Sequence, residues 1–485
     1  MLRAYAADRV RSAEESLMAN LGDGELMGRA ALGLAEVCLA RVRERDGRRV
    51  VGLVGPGNNG GDALWALAHL AGGGLECAAL VGDWPVHEAG RAAAVEAGVR
   101  VVGPGEDAVT ALDGADLVLD GVLGIGGRPG LPDAARAWVE AVPDTAYVVA
   151  VDLPSGHDPA GRSASDTGVF ADETVTFGVA KPVHLLPATE PAVGALTLVD
   201  IGLSLEGAAD VERLDFDDVR DLWPVPGASA DKYSRGVLGV VAGGESYTGA
   251  PVLCCTAAVE AGVGMVRYVG TPTPTAQVRS AVPEAVLGEG RVQAWVVGPG
   301  LDTASRAQGS KAQLDTARDA LASDLPVLVD AGGLDLVTGP RRAPTLLTPH
   351  AGELARLLSR LEGGEVTREQ VSTDPLGHAR RAADATGATV LLKGATTLVV
   401  PPSDSGVPVR SQRDAPPWLA TAGAGDVLAG IAGTLLAAGL DPVDAGSLAA
   451  LVHGVAADRA NPGGPVRALA VARAVPGTVA ALLRR

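Results

Sequence analysis

Aromatic side chains are nearly absent from this 485-residue sequence: Phe, Trp and Tyr together make up 3% of it. Its cores must therefore be built from Ala, Val and Leu. Cationic side chains are the second shortage. Forty Lys and Arg stand against 58 Asp and Glu, a formal net charge of −18, which argues against binding nucleic acid or anionic membranes. Any phosphate ligand must be held locally, by backbone amides and a few placed cations. Cysteine is also scarce, and Cys38, Cys77, Cys254 and Cys255 show no ligand spacing. The vicinal pair fits an apolar helix better than a redox site, and reduced cytosolic thiols are expected. Apolar runs break at Gly or charge well before 18 residues, so no membrane span is expected. The first residues carry Arg3, Asp8, Arg9 and Arg11 with no apolar stretch, so no signal peptide is expected either. With 47% hydrophobic and 20% charged residues, the sequence reads as a cytoplasmic, core-forming protein of two or three domains.

Glycine, by contrast, is abundant, and the stretch that organises the sequence is Thr421-Ala422-Gly423-Ala424-Gly425-Asp426 before an apolar helical run. A helix starting here presents free backbone N–H groups and a positive dipole end, which suits a phosphate. Asp426 stands where a carboxylate can take the proton of a hydroxyl attacking that phosphate. A plain glycine-rich cap with Asp in the first turn is the alternative.

The first half alternates strand and helix patterns. After a helical opening to about residue 45, a strand over 50–54 enters Gly55-Pro56-Gly57-Asn58-Asn59-Gly60-Gly61-Asp62, and a helix follows over 63–71. The loop is neither a P-loop nor the dinucleotide fingerprint, yet its two Asn and one Asp exceed what a turn needs. A strand over 117–120 ends on Asp120 and leads into a loop over 121–130. Another over 147–152 ends on Asp152, followed by Leu153-Pro154-Ser155-Gly156. These strand ends would converge on one edge of a parallel sheet. Oxygen donors at Asn59, Asp120 and Ser155 suit a hard cation rather than zinc. Singly, each Asp is as readily a cap or turn residue.

Residues 205–230 lose this rhythm. Acids crowd together before Trp223-Pro224-Val225-Pro226-Gly227, which reads as an exposed linker. The second half restarts with a strand into Gly243-Gly244 and continues in strand–helix units. Strand ends fall at Gly298-Pro299-Gly300, at Asp330, at Thr348-Pro349-His350-Ala351-Gly352-Glu353 and at Lys393-Gly394-Ala395-Thr396-Thr397. Lys393 and Gly394 offer a cation and a flexible backbone to a nucleotide phosphate, or else form a hairpin turn before residues 398–400. His350 reads as a helix cap as readily as a catalytic group, and His453 as a packed core residue.

The first-half motifs, with Phe177-Gly178 and Lys181-Pro182, together resemble the NAD(P)H-hydrate epimerases, a Rossmann-like family. The resemblance covers residues 1–205. It implies substrate contacts at Asn58, Asn59, Gly60, Gly61, Asp62, Gly124, Ile125, Gly126, Gly127, Arg128, Pro129, Gly130 and Asp152. It also implies a K+ ion on Asn59, Asp120 and Ser155, with Asp152 as the proton-handling carboxylate. Ala63 departs from a common Gly. The second-half motifs, with Lys232-Tyr233-Ser234-Arg235-Gly236, resemble the ribokinase-like NAD(P)H-hydrate dehydratases over residues 228–485. This implies substrate contacts at Ala250, Gly300, His350 and Asp426, nucleotide contacts at Lys393, Gly394, Ala395, Thr396, Thr397 and Gly425, and Asp426 as catalytic base. Asp231, Asp302 and Gly332 stand where His, Gly and Asp are usual.

An α/β protein of two domains is thus expected, a Rossmann-like sandwich and a ribokinase-like domain, joined by a linker over 206–227. The two resemblances imply a repair enzyme for NADHX and NADPHX. It would interconvert the R and S hydrates and dehydrate the S form with ADP and Mg2+, giving AMP and phosphate. No residue separates ADP from ATP. A homo-oligomer is expected. The alternatives are an ATP-dependent vitamin-precursor or sugar kinase in the second half, and a non-catalytic ligand-binding module in the first.

Overall fold

Short Val- and Leu-rich runs, buried on both faces, build a parallel sheet in each half of the chain. The computed structural model describes residues 1–104 and 106–484. Two units emerge, Arg3–Val211 and, with Met1–Leu2, Glu212–Arg485.

In the first unit seven parallel strands run in the order Arg100–Val102, Glu76–Val81, Arg49–Val54, Leu117–Gly121, Tyr147–Val151, Glu173–Phe177, Ala195–Val199. The chain works outward from Arg49–Val54 to one edge, then returns to Leu117–Gly121 on the other side. That reversal opens a crevice at the carboxyl ends of these two strands. One face packs Leu34, Cys38, Val50 and Leu67 beneath the helices Glu25–Glu44 and Asn58–Gly72. The other packs Leu53, Leu80, Val118 and Trp138.

The opening is helical as expected, in two helices, Ala7–Met18 and Glu25–Glu44, with the short strand Leu2–Ala4 before them. The helix expected from residue 63 begins at Asn58, because Gly57 at φ 85° turns the chain directly into it. Residues 58–62 therefore lie in the first helical turn, where Gly61 N–H already donates to the Gly57 carbonyl oxygen at 3.1 Å.

The second unit has a parallel core in the order Thr389–Leu392, Thr345–Leu347, Val327–Val329, Ala294–Val297, Val237–Val241, Met265–Val269, Val286–Leu287. Thr397–Val400 and Val409–Gln412 extend it antiparallel, and Val211–Arg213 lies beyond them. Ala424–Ala437 is buried along most of its length against Ala250–Glu260. Its small residues permit that approach, since a Cβ at Gly430 would lie 2.3 Å from the Cys254 carbonyl oxygen and one at Gly433 2.4 Å from Val296. The vicinal cysteines are free and buried in this layer.

The acidic stretch inside 206–227 is not an exposed linker. Asp215 caps the helix Phe216–Leu222, accepting from the N–H groups of Asp217 (3.0 Å) and Asp218 (3.1 Å), while Asp218 accepts from Asp215 N–H. Leu214, Val219 and Trp223 join the core of the second unit. The acids crowd together because a helix N-terminus favours them, and the division between units falls before Glu212. No helix among the described residues is long and apolar enough to cross a membrane.

Gly60 fixes the crevice, because a Cβ there would stand 2.1 Å from the Gly55 carbonyl oxygen. Gly60→Ala should cost about 2 kcal/mol, in the range of overpacked cores, and lower the first unit's thermal midpoint. An unchanged melting curve would contradict this packing role.

Candidate active sites

In the first unit a cavity of about 550 Å³ lies at the crevice. Asn58, Asn59, Asp62, Gly124, Ile125, Gly126, Gly127 and Asp152 line it, joined by Arg11, Glu14 and Glu15 of the first helix. Gly60, Gly61, Arg128, Pro129 and Gly130 do not. Gly60 packs on the Gly55 carbonyl, and Gly61 faces the His87 ring, 3.0 Å from where its Cβ would be. Gly130 N–H donates to the Gly156 carbonyl oxygen at 2.9 Å, tying the loop end there instead.

Asp152 ends its strand in the left-handed region, at φ 68°, a conformation that costs an L-residue free energy and is held by its surroundings. Lys181 Nζ donates to its Oδ1 at 2.6 Å, and Thr176 Oγ1 donates to the same oxygen at 3.0 Å. Lys181 also donates to Thr176 Oγ1 at 2.8 Å and is itself only 1% exposed. Lys181 N–H donates to His184 Nδ1 at 3.0 Å, so Nε2 carries the ring proton and donates to the Asp152 carbonyl oxygen at 2.8 Å. Burial, then the Lys181 charge, pushes His184 down to about 4, so it is a neutral brace. Burial works to raise Asp152, but the Lys181 charge and hydrogen bond outweigh it and hold the carboxylate low. Asp62 goes the other way, driven well above the usual carboxylate range by burial, then by Asp152 and Glu14.

Asp120 and Ser155 are joined beside this cavity, and the Asn59 side chain lies 3.1 Å from the Gly124 Cβ position in the loop that follows Asp120. Asp120 is fully buried. Its Oδ1 accepts from Ser155 Oγ (2.6 Å) and Val122 N–H (3.3 Å), and its Oδ2 from Ser155 N–H (2.8 Å). Burial raises it to about 6 against those hydrogen bonds, and among the described residues no cationic side chain pairs with it. Asn59 Nδ2 is buried without a partner; turning the amide over would put an oxygen donor there. An all-oxygen set with one carboxylate fits a hard cation of low charge.

In the second unit the helix Ala424–Ala437 starts at Gly423, φ 86°, with Asp426 in its first turn. Lys393 Nζ donates to Asp330 Oδ1 at 2.7 Å and lies 3.7 Å from Glu353 Oε2, while Thr348 Oγ1 donates to the same Asp330 oxygen at 2.9 Å. A Cβ at Gly425 would lie 3.3 Å from Lys393 Nζ and 3.8 Å from Asp330 Oδ2, so the helix N-terminus abuts this pair. Burial first, then the Asp330 charge, pushes Asp426 up to about 7, with Lys393 opposing. Burial disfavours the Lys393 ammonium, but Asp330 and Glu353 more than restore it.

Other expected contacts fall around this centre. Lys393 and Gly394 do open a hairpin, between Thr389–Leu392 and Thr397–Val400; Gly394 and Ala395 are exposed at its turn, Thr397 is half-buried, and Thr396 is buried beneath. Ala250 and Gly300 face each other, the Gly300 Cβ position being 2.8 Å from Ala250 Cβ. His350 is a cap: its Nδ1 accepts from Gly352 N–H (3.1 Å) and Glu353 N–H (3.2 Å), leaving an exposed ring beside Lys393. His453 is packed inside the helix Pro442–Ala460 and is pushed by burial to about 4. The three unusual residues have local causes. Asp231 caps Tyr233 and Ser234 N–H, Asp302 caps Ala304 N–H, and any side chain at Gly332 would strike the Leu301 carbonyl oxygen, 2.0 Å from its Cβ position.

Sequence reading missed Thr176 and His184, and it quoted Lys181, Asp330, Thr348 and Glu353 within motifs without giving them a role as partners of the site acids. One signal was available. Only four of the 40 basic residues are Lys, namely Lys181, Lys232, Lys311 and Lys393. Where Arg supplies nearly all positive charge, a retained Lys marks a need for a compact point charge.

A family model described as YjeF-related protein N-terminus matches residues 23–183, and one described as NAD(P)H-hydrate dehydratase matches residues 238–471. The bifunctional NAD(P)H-hydrate repair enzyme of Mycobacterium tuberculosis H37Rv is 46% identical over 454 residues, covering 90% of this chain and 89% of that one. Its Mycobacterium leprae counterpart is 45% identical over 479 residues, covering 95% and 94%. The chain belongs to the bifunctional NAD(P)H-hydrate repair enzymes. A Bacillus subtilis ADP/ATP-dependent NAD(P)H-hydrate dehydratase, co-crystallised with ATP and Mg2+, is 25% identical with a TM-score of 0.49, over 57% of this chain and all of that one. As a member of the repair enzymes the chain has the expected α/β fold in two domains, one of each kind, and the vitamin or sugar kinase alternative is not favoured.

Breaking the Lys181–Asp152 pair leaves a buried, uncompensated carboxylate. Lys181→Met should destabilise the first unit by about 3 kcal/mol near neutral pH, as for other one-sided losses of buried pairs. The penalty should shrink as pH falls, because a protonated Asp152 carries no charge to strand. Urea unfolding at pH 7 and pH 5 measures both; a pH-independent loss would contradict the electrostatic cause.

Proposed function

We propose that the first unit interconverts the R and S hydrates of NADH and NADPH, and that the second dehydrates the S hydrate with ADP as its magnesium complex. The observation that carries this reading is that each unit holds its own Lys–Asp centre at a sheet's carboxyl edge: Lys181–Asp152 beside the cavity and Lys393–Asp330 against the Ala424–Ala437 N-terminus.

In the first unit Asp152, kept ionised by Lys181, moves the proton during exchange at the hydrated carbon. Asn59, Asp120 and Ser155 would hold K+, which supplies positive charge next to an acidic cavity that must admit a polyanion. In the second unit hydroxide is too poor a leaving group to depart unaided. Asp426, half-buried and pushed up to about 7, takes the proton of the ring hydroxyl as it attacks the terminal phosphoryl group. The amides of Ala424, Gly425 and Asp426 and the Lys393 ammonium stabilise the charge that develops. The nucleotide lies along residues 393–397 and Gly425, and the substrate near Ala250, Gly300 and His350. Phosphate then leaves and the reduced nicotinamide returns. The free thiols agree with a cytoplasmic enzyme.

The test is absorbance at 340 nm on a mixture of R and S hydrates with magnesium and either ADP or ATP. Recovery of the whole reduced-nicotinamide band with ADP is expected; recovery of the S fraction alone would make the first unit a binder, and none at all would overturn the reading. Because Asp426 acts as a base, the dehydration rate should fall about tenfold per unit below pH 7. A flat profile between pH 5.5 and 7 would remove Asp426 from that role.

A further inference from the structure

Asp62 is a carboxyl group of the first cavity to which no proton-transfer role has been given. It enters from the first turn of Asn58–Gly72 and lines the same cavity as Asp152. Asp152 is bound to Lys181 and Thr176, whereas Asp62 makes no hydrogen bond or ion pair among the described residues. Of the four carboxyl groups that line the cavity, on Glu14, Glu15, Asp62 and Asp152, one is locked to a buried ammonium and Asp62 stands unpartnered beside it.

Resting on the epimerase reading above, we propose that Asp62 is the acid and Asp152 the base of an exchange that proceeds by loss and re-addition of the ring hydroxyl. Hydrating an enamine places the hydroxyl on the carbon bonded to the ring nitrogen, so the substrate is a carbinolamine. Asp62 gives its proton to the hydroxyl oxygen as the C–O bond breaks; the nitrogen lone pair forms C=N, and water leaves. Water then adds to the other face of that carbon, forming the new C–O bond and passing a proton to Asp152. One water departs and one enters, and the proton lost by Asp62 and gained by Asp152 returns through solvent in the cavity.

The charges around Asp62 favour this division. Burial, then Asp152 and Glu14, drive it well above the usual carboxylate range, and its one opposing cation, Lys181, is already engaged by Asp152. Glu14 is also raised by burial, but Lys181 and Arg11 both pull it down. Two titratable groups driven apart by their environments are the usual arrangement of an acid–base pair.

The competing route opens the C–N bond to an aldehyde and recloses it, which keeps the oxygen. R hydrate and the full chain in H₂¹⁸O therefore give a direct test by mass spectrometry of the separated epimers. One solvent oxygen per R-to-S conversion is expected; retained oxygen would overturn the proposal. Asp62→Asn should lower kcat for exchange at least 100-fold with KM within a few-fold, the scale of general acid catalysis, while S-hydrate dehydration, in the other unit, continues. Asp62→Glu should recover part of the rate. Exchange within fivefold of wild type in Asp62→Asn would overturn the acid role alone, whereas a wild-type chain that exchanges nothing would overturn the epimerase reading itself.

Discussion

A lysine ammonium clamped on an aspartate at the carboxyl end of a parallel strand is the interaction on which both halves of this chain depend. Lys181 meets Asp152 at 2.6 Å and Lys393 meets Asp330 at 2.7 Å. Taking such charges from water is expensive, and the attraction repays it only with added hydrogen bonds. Each half adds a threonine for that purpose, Thr176 on Asp152 and Thr348 on Asp330. The clamp then sets the protonation of its neighbours: a second acid placed next to it, Asp62 in one site and Asp426 in the other, faces a negative charge in poor solvent and is raised. One ion pair thus yields a fixed charge and a group ready to exchange a proton.

Glycine makes the approach possible. The helix Asn58–Gly72 reaches the sheet only because Gly60 leaves room for the Gly55 carbonyl. In the second half, Gly425 lets the helix N-terminus abut the Lys393–Asp330 pair, while Gly430 and Gly433 let the same helix sink against its neighbours. With aromatics scarce, close backbone packing takes the place of bulky side chains.

Much of this was legible in the sequence. The apolar runs located the sheet strands because strands covered on both faces need continuous burial, and Asp120 and Asp152 stand at strand ends as their spacing suggested. The acidic stretch misled because a capping Asp and a solvated acidic run look alike without knowledge of Leu214 and Trp223, whose burial decides it. The partners of the site acids were hidden for a different reason. Lys181 lies 29 positions from Asp152, and Lys393 63 positions from Asp330; only the sheet order brings them together. The rarity of Lys was the one local hint.

Two complete sites, one in each half, should each work without the other. The most direct test uses Asp152→Asn and Asp426→Asn chains, alone and mixed, on the two hydrates with ADP and magnesium, followed at 340 nm from the initial rate. Neither chain alone should restore the R fraction at an enzymatic rate. The mixture should restore the whole band, because S hydrate released by one chain is consumed by the other. A mixture that stops at the S fraction would contradict two independent sites.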